Sequence, residues 1–178
     1  MKKSIIYTAF CIAMLAFSHN TQALTFGDSH DLGQVLNGWS SGDADRLAYV
    51  NHLVGMAVGT TEQAGGVKYS RSNNTFGSLG QAGLAGLVNG TGITVNLGSG
   101  GLYSYLFATY STLNNSSKLW YVGDLSGTIT IPLLGNGSLL TGWTLFAKAE
   151  NIPDGGATMM LLGAGLVTLG VVRRRLKS

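Results

Sequence analysis

Residues 102–131 read LYSYLFATYSTLNNSSKLWYVGDLSGTITI, and the texture of this stretch decides the fold class. Three short runs stand out in it: Leu102 to Tyr110, Leu119 to Val122 and Thr128 to Ile131, each rich in β-branched or aromatic residues. Such side chains fit a pleated, half-buried surface. Runs this short, punctuated by Asn, Ser and Gly, read as strands. Upstream, Ile93, Val95 and Leu97 alternate with Thr94 and Asn96, and downstream Trp143 to Ala147 form a further run. A period of two sends alternate side chains to opposite faces of a sheet. Asn89-Gly90 and Asn136-Gly137 are candidate hairpin turns, because both residue types accept the positive φ of tight hairpins. Gly80 to Val88 reads two ways: Leu84, Leu87 and Val88 fit a short helix, whereas its glycines favour a loop.

One stretch has helical spacing instead. From Asp43, DADRLAYVNHLVGM sets Leu47, Val50, Leu53, Val54 and Ala57 along one face, the repeat of an amphipathic helix. Asp43 and Asp45 stand at its start, where carboxylates favour the helix dipole. Read as a calcium pair, they lack the further acidic ligands such a loop requires. The expected fold class is therefore all-β: an antiparallel β-sandwich, jelly-roll-like, over residues 24–151, with one helix near the mature N-terminus. Some 128 residues make one domain, and their aliphatic and aromatic content supports a core.

Both ends carry different physics. Met1-Lys2-Lys3 is basic, Ile5 to Phe17 is uncharged, and Thr21-Gln22-Ala23 offers small residues at the positions a signal peptidase inspects. These are the three parts of a secretory signal peptide. The expected leader is the helix-forming segment 1–23, cut between Ala23 and Leu24, with signal peptidase as the first partner. Its removal takes away Cys11, the only cysteine, so the mature chain has no disulfide. At the other end, Ala157 to Val172 gives 16 uncharged residues, closed by Arg173, Arg174, Arg175 and Lys177. At about 1.5 Å per residue a helix of that length falls slightly short of a ~30 Å hydrocarbon core, and snorkelling basic heads close the gap. A C-terminal transmembrane helix over 157–172 is expected, with its basic tip 173–178 in the cytoplasm. Charge divides accordingly. Six of the 11 basic residues lie in the tails, leaving five basic against seven acidic residues in the body, a net of −2. The overall basicity belongs to the ends, and nucleic acid is not an expected partner.

Ile152-Pro153-Asp154-Gly155-Gly156, then the apolar run, then Arg173-Arg174-Arg175, closely resembles the tripartite PEP-CTERM sorting domain of Gram-negative bacteria, in a V-P-D-G-G or V-P-D-S-G variant of the parent Pro-Glu-Pro form. The segments DSHDLG, ADRLAYVNHLVGMA, YLFATYSTLNNSSKLWYVGDLSGTITIP and GSLLTGWTLF resemble recurring pieces of one group of such exported proteins. The resemblance implies a sorting tail over 152–178, recognised and cut near its motif by an exosortase-type membrane peptidase. It implies transient anchoring in the inner membrane, then delivery to the cell surface or the polysaccharide matrix, as in biofilm-forming bacteria. It carries no enzymatic activity with it.

Catalytic material is sparse. His52 falls on the helix beside core positions, and His30 sits in the polar turn Asp28-Ser29-His30-Asp31. Gly77-Ser78-Leu79-Gly80 lacks the glycine two places before the serine that a nucleophile elbow needs, and Gly98-Ser99-Gly100-Gly101 lacks the lysine of a phosphate loop. No cofactor, metal or catalytic residue is expected; a surface hydrolase would need His30 joined to a nucleophile or acid. The sharper option is a carbohydrate-binding module of the matrix, with extracellular polysaccharide as partner. Aromatic faces stack on sugars while polar neighbours hold the hydroxyls, and Trp39, Trp120, Tyr121 and Trp143 are the available rings.

Overall fold

The computed structural model describes residues 21–38, 40–111, 115–135 and 137–149. The leader up to residue 20, Trp39, the motif Ile152, Pro153, Asp154, Gly155 and Gly156, the expected transmembrane run 157–172 and the basic residues Arg173, Arg174, Arg175 and Lys177 lie outside the described residues. In chain order the elements are β1 (Thr21–Ala23), β2 (Asp31–Leu36), α1 (Asp43–Gly55), β3 (Thr61–Ala64), β4 (Val67–Arg71), β5 (Val88–Gly90), β6 (Thr94–Asn96), β7 (Tyr105–Ser111), β8 (Ser116–Tyr121), β9 (Thr128–Thr130), β10 (Leu134–Gly135) and β11 (Ser138–Phe146). The described chain is mostly β, antiparallel apart from one pair, with a single helix.

Among the described residues, each run that reads as a strand contributes to one: β6, β7, β8, β9 and β11. The larger sheet runs β10-β11-β7-β8-β2-β4-β3, with β5 added to β11; the smaller runs β1-β9-β6. Among the described residues only β1 and β9 pair in parallel, Thr21 opposite Thr128 and Ala23 opposite Thr130. Gly135 pairs with Ser138 and Gly137 has the φ of 78° that a tight turn needs, while Asn136 lies outside the described residues. Asn89-Gly90 makes no hairpin. Both residues lie within β5, paired with Thr144 and Trp143 of β11. Gly80 to Leu87 follows its glycines into a loop, with one isolated bridge from Ala82 to Lys148, and Val88 opens β5.

Alternation along β7 builds two cores from one strand. Leu106, Ala108 and Tyr110 join a cluster with Trp120, Val122 and Leu145 and with Val95, Ile129 and Ile131 of the smaller sheet. Tyr105 and Phe107 join the other, with Leu32, Val35, Leu119 and Phe146 and with Val50 and Leu53 of α1. The central strands are thus buried on both faces, by the smaller sheet on one side and the helix on the other. Helix α1 buries Val50 and Leu53, while Leu47 and Val54 pack at its margin. It stops at Gly55, so Ala57 is exposed and Met56 takes the last core contact. Asp45 acts at its start by accepting hydrogen bonds from the Ser41 backbone N–H at 2.8 Å and from Ser41 Oγ at 2.6 Å.

A polar seam crosses the larger sheet. Lys118 Nζ lies 2.6 Å from Asp31 Oδ2, with both side chains buried. Gly27 N–H donates to the same oxygen at 2.7 Å, and the Phe26 ring faces the ammonium at 5.5 Å. Arg71, also buried, donates through Nη1 to Leu32 O at 2.6 Å, and desolvation lowers its pKa while Asp31 opposes the shift. Where β2 passes this seam its register slips between Asp31 and Gly33. A Cβ at Gly33 would stand 2.5 Å from Ser70 O, so only glycine permits that approach.

Candidate functional site

Three elements meet at the β11 edge of the larger sheet. Strands β10 and β5 both pair with β11 on that side, covering its two ends, and the ladder to β7 shifts between Leu140 and Gly142. The uncovered middle opens into a groove of about 580 Å³, lined chiefly by Arg46, Asn89, Thr109, Thr141, Trp143 and Thr144. Pairing puts Asn89 opposite Thr144 and Gly90 opposite Trp143, and the first turn of α1 adds Asp43 and Arg46.

The polar groups there hold one another in place. Arg46 Nη1 donates to Asp43 Oδ1 at 2.9 Å, to Asn89 Oδ1 at 3.3 Å and to Thr144 Oγ1 at 3.4 Å. Thr144 Oγ1 donates to Asn89 Oδ1 at 2.5 Å, and Asn89 Nδ2 donates to Asp43 Oδ1 at 3.1 Å. The carboxylate and guanidinium neutralise each other, so this wall is polar without net charge. Two donors at the site, Trp143 Nε1 and Arg46 Nε, are buried without a hydrogen-bond partner. A Cβ on Gly90 would collide with the benzo edge of Trp143; glycine at that position lets the indole lie flat against β5. An aromatic ring beside a fixed amide, guanidinium and hydroxyls is suited to a polyhydroxylated ligand.

The expected rings part company. Trp143 is half-buried at the groove. Trp120 is fully buried, its ring 5.8 Å from Phe26 and its Nε1 donating to Thr25 O at 3.2 Å. Tyr121 lies on the helix-covered face, packed near Phe76 and Tyr105 at 5.3 and 6.1 Å, and does not approach Trp143. Trp39 is outside the described residues, although Ser40 lines the groove. Asp43, Arg46, Asn89 and Thr144 carried no sequence signal as a set. They come from an helix start, a strand read as a turn and the far end of the chain.

The histidines lie elsewhere. His52 Nε2 is 3.1 Å from Glu62 Oε2 and its ring stacks 4.0 Å from Tyr69, a structural pairing at the helix surface. His30 Nδ1 stands 3.4 Å from Ser29 Oγ and Nε2 3.7 Å from the exposed Asp124 Oδ2. Both distances exceed the about 2.6–3.2 Å of a proton-relay contact. Among the described residues no group of three or more His, Cys, Asp or Glu gathers as a metal site. Ala23 and Leu24, which flank the expected leader cut, lie at the end of β1 and in the core respectively. In comparison with known proteins, no family model, curated protein or solved structure matches this chain.

Proposed function

We propose that the chain is an exported, noncatalytic protein of the cell surface or extracellular polysaccharide matrix, and that its domain holds a neutral saccharide in the groove between Arg46, Asn89 and Trp143. The groove carries the ligand half of this reading: a half-buried indole beside an amide, a guanidinium and hydroxyls already fixed in place. Preorganised polar groups lose little entropy on binding, and the internal Asp43–Arg46 pair removes the need for a charged ligand. The same proposal takes the two sheets as a jelly-roll-like sandwich, supported by the core that the smaller sheet shares with β7, β8 and β11.

The sorting half rests on the ends of the sequence. A signal peptidase processes the leader; an exosortase-type peptidase of the inner membrane then handles the tail at Ile152–Gly156, with Arg173, Arg174, Arg175 and Lys177 as the cytoplasmic stop. Intact mass of the surface form tests this half: the expected species lacks residues 173–177, and their retention overturns the sorting route. An array of neutral and acidic glycans tests the ligand. Neutral glycans are expected to bind, with Asn89→Ala and Trp143→Phe each weakening binding about tenfold, or about 1.4 kcal/mol. No binding, or binding indifferent to both substitutions in folded variants, sinks the saccharide.

A further inference from the structure

The first strand begins inside the segment expected to leave with the leader. Thr21, Gln22 and Ala23 pair with Thr128, Ile129 and Thr130. Leu24 follows at 2% exposure, in one core cluster with Val95, Ile129 and Ile131, and its backbone N–H donates to Thr130 O at 2.9 Å. A cut between Ala23 and Leu24 would delete β1 and leave β6 and β9 as a two-stranded ribbon with an open edge. Such a ribbon is only marginally stable by itself, and its bare edge invites foreign strands. The cut would also turn the Leu24 amide into a charged ammonium beside a buried side chain, where desolvation opposes charge.

We propose that signal peptidase cuts instead between Ser18 and His19, and that the exported chain keeps Thr21–Ala23 as a strand of its domain. Ala16-Phe17-Ser18 sets small residues at the third and first positions before that bond, directly at the end of the uncharged run from Ile5. This meets the same A-x-A-like requirement as Thr21-Gln22-Ala23. Water adds across the Ser18–His19 amide, the C–N bond breaks, the Ser18 carboxylate leaves with the leader and the nitrogen of His19 becomes the new ammonium. His19 and Asn20 then separate that charge from β1.

The inference rests on the export reading, and one experiment separates the two. The full chain with its own leader is expressed in a Gram-negative host, and the exported form is characterised by N-terminal sequencing and intact mass. A terminus at His19 is expected. A terminus at Leu24 overturns the placement and leaves export standing; retention of Met1 overturns both. Ser18→Leu is expected to abolish the His19 terminus, whereas Ala23→Leu, at an exposed position, retains it; the reverse pattern overturns the proposal. A purified chain starting at His19 is further expected to melt at a higher temperature than one starting at Leu24, and equal melting removes the structural role of β1.

Discussion

Trp120 and Trp143 belong to the same sheet, are separated by a single strand and pack toward the same core cluster. β7 pairs with both, Leu106 opposite Trp120 and Ala108 opposite Trp143. Trp120 is nonetheless sealed, by Phe26 and the core that the smaller sheet brings over β8, whereas Trp143 packs against that core on one side, meets Gly90 of β5 and stays half-buried at the open groove. Residue type is identical; what differs is how much chain is left to cover each position. The centre of the sheet is a place of packing, and its β11 edge is left open as a groove.

Substitution of the sealed tryptophan tests that contrast most directly. Trp120→Ala empties the middle of a packed core and is expected to cost about 4 kcal/mol in a denaturant titration; a loss near that of an edge position would refute the division. Lys118→Met follows at about 3 kcal/mol, because it strands the buried Asp31 carboxylate, and adding Asp31→Leu should recover most of the loss. Failure of the double variant to recover stability would mean that the seam supports the fold through more than this pair. Gly90→Ala drives a methyl group into the Trp143 ring and should cost about 1–2 kcal/mol, with altered indole fluorescence as the reporter. An unchanged spectrum would deny the close approach of β5.

The smallest expected effect lies at the groove's helical border. Hydrogen bonds from Ser41 Oγ and the Ser41 backbone lower the Asp45 pKa. A depressed folded-state pKa stabilises the fold above the unfolded value and loses that contribution as pH falls through the folded one. Asp45 is open to solvent screening, so the expected change is a weak loss of helix stability confined to pH below the ordinary carboxylate value. In Ser41→Ala, NMR titration should find Asp45 moved back toward that value; an unmoved titration would assign the shift elsewhere.

Legibility followed the same division between centre and edge. β7, β8, β9 and β11 were readable because their apolar runs face a core, and α1 because Leu47, Val50, Leu53 and Val54 repeat at helical spacing. β2 escaped notice since Gly33 and the register slip interrupt its alternation, and β3 because all four of its residues are exposed. Ser116, Ser117 and Lys118 precede the apolar run that starts at Leu119, yet they are buried in β8; their burial depends on neighbours distant in sequence. Asn89-Gly90 followed good turn chemistry into a strand, because pairing with β11 outweighed local preference.

Period, composition and charge by themselves determined a mostly β domain with one helix between two signal-like ends, since each of these is written in residues close along the chain. Which tryptophan is sealed, which asparagine meets Arg46, and which strand Thr21–Ala23 pairs with were decided only in three dimensions. Each depends on backbone pairing between segments tens of residues apart, and that pairing alone sets which side chains lose their water.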